Sequence, residues 1–266
     1  MSAPTAASIS PASGGGPAEA APTRHLPRRV DRGTVRYDEV RVPGWSVNGL
    51  AKVLRSVDAG QVETTGTLVV GGLLSAGQLT VHGTLEARGA VTVTGRLFAR
   101  GPVDAGASVH AHEATVRGAL RAAGEVTVDG ELRVVGSVRA PSLRAGRLSI
   151  QGSATVPGTI AADSVKLQLN VDSAIGRIQG SEVRLRGPAA NLVRRVLGKD
   201  AVVTVGVVEG AAVVLEGCRV ASVRAPSIVL GPDAHVVAVE GRVVRAHRTS
   251  RVGPESWSRP PAGLSR

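Results

Sequence analysis

The chain has 266 residues, a formal net charge of +11, 42% hydrophobic residues and only 2% aromatics. So few aromatics exclude an ordinary globular core of this size, and so many aliphatics exclude a disordered chain. The only cysteine, Cys218, excludes an intrachain disulfide, and no apolar window reaches the length of a membrane-spanning helix.

In chain order, residues 1–32 come first, rich in Ala, Pro, Ser and Gly and closing on the basic run Arg24, His25, Arg28 and Arg29. This composition predicts a disordered tail. Arg24, Arg28 and Arg29 are its candidate electrostatic contact with an anionic membrane surface. The plainer reading is a solubilising tail, because no amphipathic apolar face accompanies the charge. The N-terminus lacks the apolar core of a signal peptide, so the expectation is a cytoplasmic protein, with membrane association only through this tail.

Alternation starts around Tyr37–Val42, and Val47-Asn48-Gly49 supplies a turn. The organising stretch follows. Glycines recur every six residues at Gly77, Gly83, Gly89, Gly95 and Gly101, and again at Gly118, Gly124, Gly130 and Gly136. Between them the second and fourth residues are aliphatic or small, as in Leu79/Val81, Leu85/Ala87, Val91/Val93, Leu97/Ala99, Val126/Val128 and Leu132/Val134. A period of two places those side chains on one face of a very short strand. One such strand buries too little apolar area to offset its ordering entropy, so stacking must supply the core. A glycine at each corner permits sharp turns, three sides close a triangle, and the offsets in the ladder imply coils of roughly 16 to 18 residues. The predicted fold is therefore all-β: one parallel β-helix (β-solenoid) over 33–246, with disordered tails at 1–32 and 247–266. Around 188–199 the alternation breaks, and Leu192, Val193, Val196 and Leu197 take helical spacing, which predicts a short non-strand insert over an edge of the solenoid.

Candidate chemistry is sparse. His110 and His112 share one outward side, with His82 also outward, but further ligands at metal-binding spacing are missing. No nucleophile elbow, phosphate loop or zinc-protease motif occurs, and Asp38 and Glu39, being adjacent, fall on opposite strand faces. The expectation is no catalytic residue, no metal, no cofactor and no small-molecule substrate. The positive charge is nearly all arginine and suits a polyanion, yet no aromatic residues interleave with it as single-stranded nucleic acid would require. Nucleic acid is therefore the less favoured partner.

The tract YDEVRVPGWSVNG, from Tyr37 to Gly49, resembles the first coil of the bactofilins, polymer-forming cytoskeletal proteins of bacteria whose repeats run YDEVxIxGxxxVNG. The glycine ladder is of their kind. Ala161–Gly187 and Val207–Gly241 are similar to later coils of longer members. Trp45 stands where that family has a small residue, and the usual tyrosine or acidic positions are replaced within Val239–Arg245. The resemblance implies a right-handed β-helix that assembles without nucleotide into filaments or sheets and scaffolds other proteins. The functional expectation is thus a non-enzymatic structural protein forming an end-to-end homopolymer. Its candidate interface is Val40, Val42 and Val47 in the first coil with Val236, Val237, Val239 and Val243 in the last, since a solenoid's open ends expose apolar side chains and backbone groups. The alternatives are a left-handed β-helix acyltransferase, also built of hexads, and a β-solenoid that binds a polyanion, whether an anionic membrane or nucleic acid.

Overall fold

The computed structural model describes residues 29–188 and 202–253. It contains fourteen strands and, among the described residues, no helix. They are β1 (Arg29–Tyr37), β2 (Val40–Val53), β3 (Val57–Val70), β4 (Leu74–Ala87), β5 (Val91–Arg100), β6 (Val103–Ala105), β7 (Val109–Ala122) and β8 (Val126–Arg139). Then follow β9 (Leu143–Leu169), β10 (Ser173–Arg186), β11 (Val203–Glu216), β12 (Arg219–Leu230), β13 (His235–Ala246) and β14 (Arg251–Val252). All pair in parallel, each with the strand one coil before and one coil after, and β6 completes the coil that β5 begins. The result is a β-solenoid of about 12 turns. At an inter-strand spacing of ~4.8 Å the stack is roughly 55 Å tall. Strands extend past both expected limits, beginning at Arg29 and closing at Val252.

Alternation explains the core. Val57, Leu74, Val91, Val109, Val126 and Leu143 sit one above another in register, and none is more than 1% exposed. Leu85, Leu97, Val128 and Leu132 are buried, while Glu86, Arg96 and Arg133 between them are exposed. Each buried Leu or Val contributes about 1.5–3 kcal/mol of hydrophobic burial. A thin column of small aliphatics suffices because every layer is covered twice.

The corners differ from the sequence expectation. Only one corner per coil uses a left-handed backbone, through the ladder Gly49, Gly66, Gly83, Gly101, Gly118, Gly136 and Gly152, with φ between 123° and 150°. Gly77, Gly89, Gly95, Gly124 and Gly130 have no positive φ. Most of these are glycine for a different reason: a Cβ on Gly77 or Gly95 would run into the carbonyl oxygen of Gly60 or Gly77 in the coil beneath. Where the strands break, backbone donors still find the previous coil, as Arg55 N to Asp38 O (2.8 Å) and Gly89 N to Gly72 O (3.0 Å) show. No buried main-chain group need go unpaired at a bend arranged like this.

Coil length also varies more than expected. Thr204 pairs with Arg219, fifteen residues on, whereas Thr155 pairs with Ala174, nineteen residues on. Bends and bulges absorb the difference, and inward residues remain stacked on inward residues. Between β10 and β11 the step is thirty, Ser173 pairing with Val203 and Arg186 with Glu216. The extra length falls where the insert is expected, around 188–199, and residues 189–201 lie outside the described residues.

Candidate functional site

A β-solenoid offers two kinds of surface, its ends and its flanks. At the N-terminal end β1 lies over β2, with Arg29 above Trp45, Asp31 above Val47, Val35 above Ala51 and Tyr37 above Val53. The outermost inward positions therefore carry Arg29, Asp31, Val35 and Tyr37. Asp31 Oδ2 accepts a hydrogen bond from Trp45 Nε1 at 2.7 Å and one from Arg29 Nε at 3.1 Å. The Arg29 guanidinium lies 4.1 Å from the centroid of the Tyr37 ring, which meets Trp45 edge to face at 6.1 Å. Trp45 is fully buried. Burial, the largest single influence on the Asp31 carboxyl, pushes its pKa up. Hydrogen bonds from Trp45 and Tyr37 and the charge and hydrogen bond of Arg29 outweigh it, and the group is held below the usual carboxylate value. Charge, cation–π contact and an aromatic plug close this end.

The C-terminal end is built otherwise. Along β13 the inward line continues as Val236 above Val220, Val239 above Val223, Gly241 above Ala225, Val243 above Ile228 and Ala246 above Leu230. β14 covers only the start, Val252 lying over Val236. Val243 is 39% and Val252 57% exposed, although the positions beneath them are buried. His235 sits under Arg251 and over Arg219. Its partial burial and those two cations lower its pKa. Among the described residues nothing ionic closes the valine line.

These positions revise the expected interface. Val40, Val47 and Val236 are buried in the chain's own layers, Val47 directly under Asp31 and Val236 under Val252. Val42 is half-buried against the core, and Val237 is not packed on it. Val239 and Val243 remain as inward positions at an open end. Of the expected basic contact, Arg24 and Arg28 lie outside the described residues, and Arg29 is engaged by Asp31 and Tyr37 rather than belonging to a free tail.

On the flanks, His110 and His112 both face Asp129, at 3.8 and 3.7 Å from Oδ2. His82 instead meets the edge of Phe98. Among the described residues no group of three or more His, Cys, Asp or Glu is arranged to hold a metal ion. Cys218 is buried, and that burial pushes its thiol up to about 12, so no reactive thiolate is available there.

No family model, curated protein or solved structure matches this chain. Its function therefore has to be argued from the two ends and the flanks. Composition alone places Arg29 and Asp31 in the tail, so it hides the ionic and aromatic closure they form with Tyr37. The missed signal was register: Asp31 stands one coil, sixteen residues, ahead of Val47.

Proposed function

We propose that this chain is a non-enzymatic structural protein that self-associates end to end without nucleotide. What supports the reading most is the open line Val239, Val243 and Val252 at the C-terminal layer, stacked on a fully aliphatic core and only partly covered by β14. Such an end leaves both apolar side chains and the β13 backbone edge to a partner. The bactofilin-like tracts of the sequence point the same way.

Head-to-tail stacking of N-terminal on C-terminal coil, the arrangement expected from sequence, is the less favourable one. It would bury the Arg29–Asp31 pair against valine, and two desolvated charges rarely recover their hydration cost from an apolar neighbour. Valine on valine has no such penalty. The first contact is therefore C-terminal end to C-terminal end, a two-fold contact in which the same surface serves both copies. Longer assembly then needs a second, weaker contact through the charged N-terminal ends, sensitive to salt.

Sedimentation and negative-stain microscopy of purified protein, without nucleotide, test this. Val243→Lys should keep a β-rich circular dichroism spectrum and sediment as a monomer, because each copy would place an unpartnered charge in the contact. Val35→Lys, at the opposite end, should still form the two-fold dimer. Wild-type protein that stays monomeric at high concentration and low salt, or a Val243→Lys protein that associates normally, would sink the proposal.

A further inference from the structure

One flank of the solenoid carries a trench of about 700 Å³ crossing the layers from β8 to β11. Five cations line it, Arg133, Arg147, Lys166, Arg184 and Arg186, against two carboxylates, Glu131 and Glu216. Carboxylates neutralise it only in part. Arg186 is held by Glu216 at 2.8 Å, and Arg147 reaches Glu131 only at 4.0 Å. Arg184 turns to Glu182 at 2.7 Å. Arg133 and Lys166 are exposed and form no ion pair among the described residues. Because the coils stack in register, the cations recur layer by layer, Arg184 directly beside Lys166 and Arg186 beside Gln168. Like charges placed directly side by side destabilise a sheet unless something neutralises them.

We propose that this trench binds an extended acidic peptide segment of a partner protein. The chain itself does not provide the occupant: residues 189–201 contain Arg194, Arg195 and Lys199 against one Asp200, the N-terminal residues are basic, and a second copy carries the same +11 charge. Nucleic acid is disfavoured because no aromatic side chain lines the trench for bases to stack on. A bilayer surface is disfavoured because a flat sheet of headgroups cannot enter a recess to reach Ser149, Gln151, Ser164 and Gln168, which also line it. A peptide fits on both counts. Arginine forks take carboxylates in paired hydrogen bonds. Ser149, Gln151, Ser164 and Gln168, also in the lining, offer the donors and acceptors that a peptide main chain needs. The volume is that of a small-molecule site, room for a few residues of an extended segment.

The test uses the full chain and fluorescence anisotropy with a labelled peptide of alternating glutamate and serine, about ten residues long. The double variant Arg133→Glu/Lys166→Glu should raise Kd about tenfold or more, while circular dichroism and sedimentation stay as in wild type. Arg32→Glu/Arg36→Glu, which changes the net charge equally at exposed positions of β1, should change Kd less than about twofold. Absence of peptide binding by the wild type overturns the proposal. So does equal weakening by the two double variants, which would reduce the effect to net charge. A thymidine oligonucleotide or phosphatidylglycerol vesicle that outcompetes the peptide, and is itself lost with Arg133→Glu/Lys166→Glu, overturns the choice of partner. Sedimentation reads the end contact separately, so failure at the trench and failure of self-association are told apart.

Discussion

The two ends of the rod solve one problem in opposite ways. Each presents a last layer whose inward row no full coil covers among the described residues. At the N-terminus that row reads Arg29, Asp31, Val35, Tyr37, tied together by the Trp45 and Asp31 hydrogen bond and the stacked guanidinium. At the C-terminus it reads Val236, Val239, Gly241, Val243, Ala246, with β14 reaching over Val236 only. A polar or aromatic row lets a final layer face water, whereas an aliphatic row continues the core into solvent. The two rows differ in the side chains they carry, and at the C-terminal end the pairing of β12 with β13 also shifts register between Ala225 and Val229.

The interior sets the scale on which the ends can be judged. Gly83→Ala would need a side chain at φ 137° and would drive its Cβ into the Gly66 carbonyl, so it should cost about 3 kcal/mol or more in chemical denaturation. Gly33→Ala, in the outermost coil with φ 78° and open space around it, should cost only about 1 to 2 kcal/mol. Equal costs would mean that the first coil is as tightly stacked as the middle, and that the N-terminal closure is no true end.

Trp45→Phe keeps a ring in the plug but removes the donor to Asp31. A loss of about 1 to 3 kcal/mol is expected, and the Asp31 carboxyl should titrate at higher pH by NMR. Because the folded Asp31 pKa is depressed, its contribution is present above the unfolded value and disappears as pH falls through the folded one. Acid should loosen β1 in the wild type, and Trp45→Phe should move that loosening upward in pH. An unmoved titration would show that the hydrogen bond does not hold the end.

Thr64 sharpens the comparison one layer deeper. It lies in the column between Val47 and Val81, fully buried, and its hydroxyl has no hydrogen-bond partner. Thr64→Val preserves the shape and removes an unpaired polar group, so thermal unfolding should show a gain of about 1 kcal/mol. A loss would point to a hydroxyl partner that the structure does not contain.

The smallest effect belongs to the C-terminus. His235 has a lowered pKa, so the unfolded chain binds its proton more readily and folding favours the neutral ring. Stability from this site is complete above the ordinary value of 6.5 and is lost as pH falls below it. Amide exchange in β13 and β14 should quicken modestly between neutral and mildly acidic pH, with the middle coils unchanged. His235→Gln should abolish that response.

Much of this molecule was readable in the chain. Alternating residues such as Leu85, Glu86 and Ala87 declare their face by period alone, and a six-residue glycine spacing leaves few folds besides a stacked coil. The corners were less readable, because Gly77 and Gly83 look alike in sequence although one avoids a clash and the other adopts a left-handed backbone. The ends were less readable again. Whether Val239 is covered depends on where β14 returns, and whether Arg29 is free depends on Asp31, both set by stacking across a whole coil. The trench draws on five layers at once, and no local window contains it.

The thirty-residue step between β10 and β11 also bears on how such a chain can be altered. Ser173 through Arg186 pair with Val203 through Glu216 without loss of register, although the connection is longer than at any other coil. Loop-closure entropy grows only slowly with length, about 0.6 kcal/mol per doubling. The stretch between Pro188 and Val202 is therefore a permissive splice point. A fluorescent protein or affinity handle grafted between Pro188 and Val202 should leave the pairing of β10 with β11, and so the layer count, as it is.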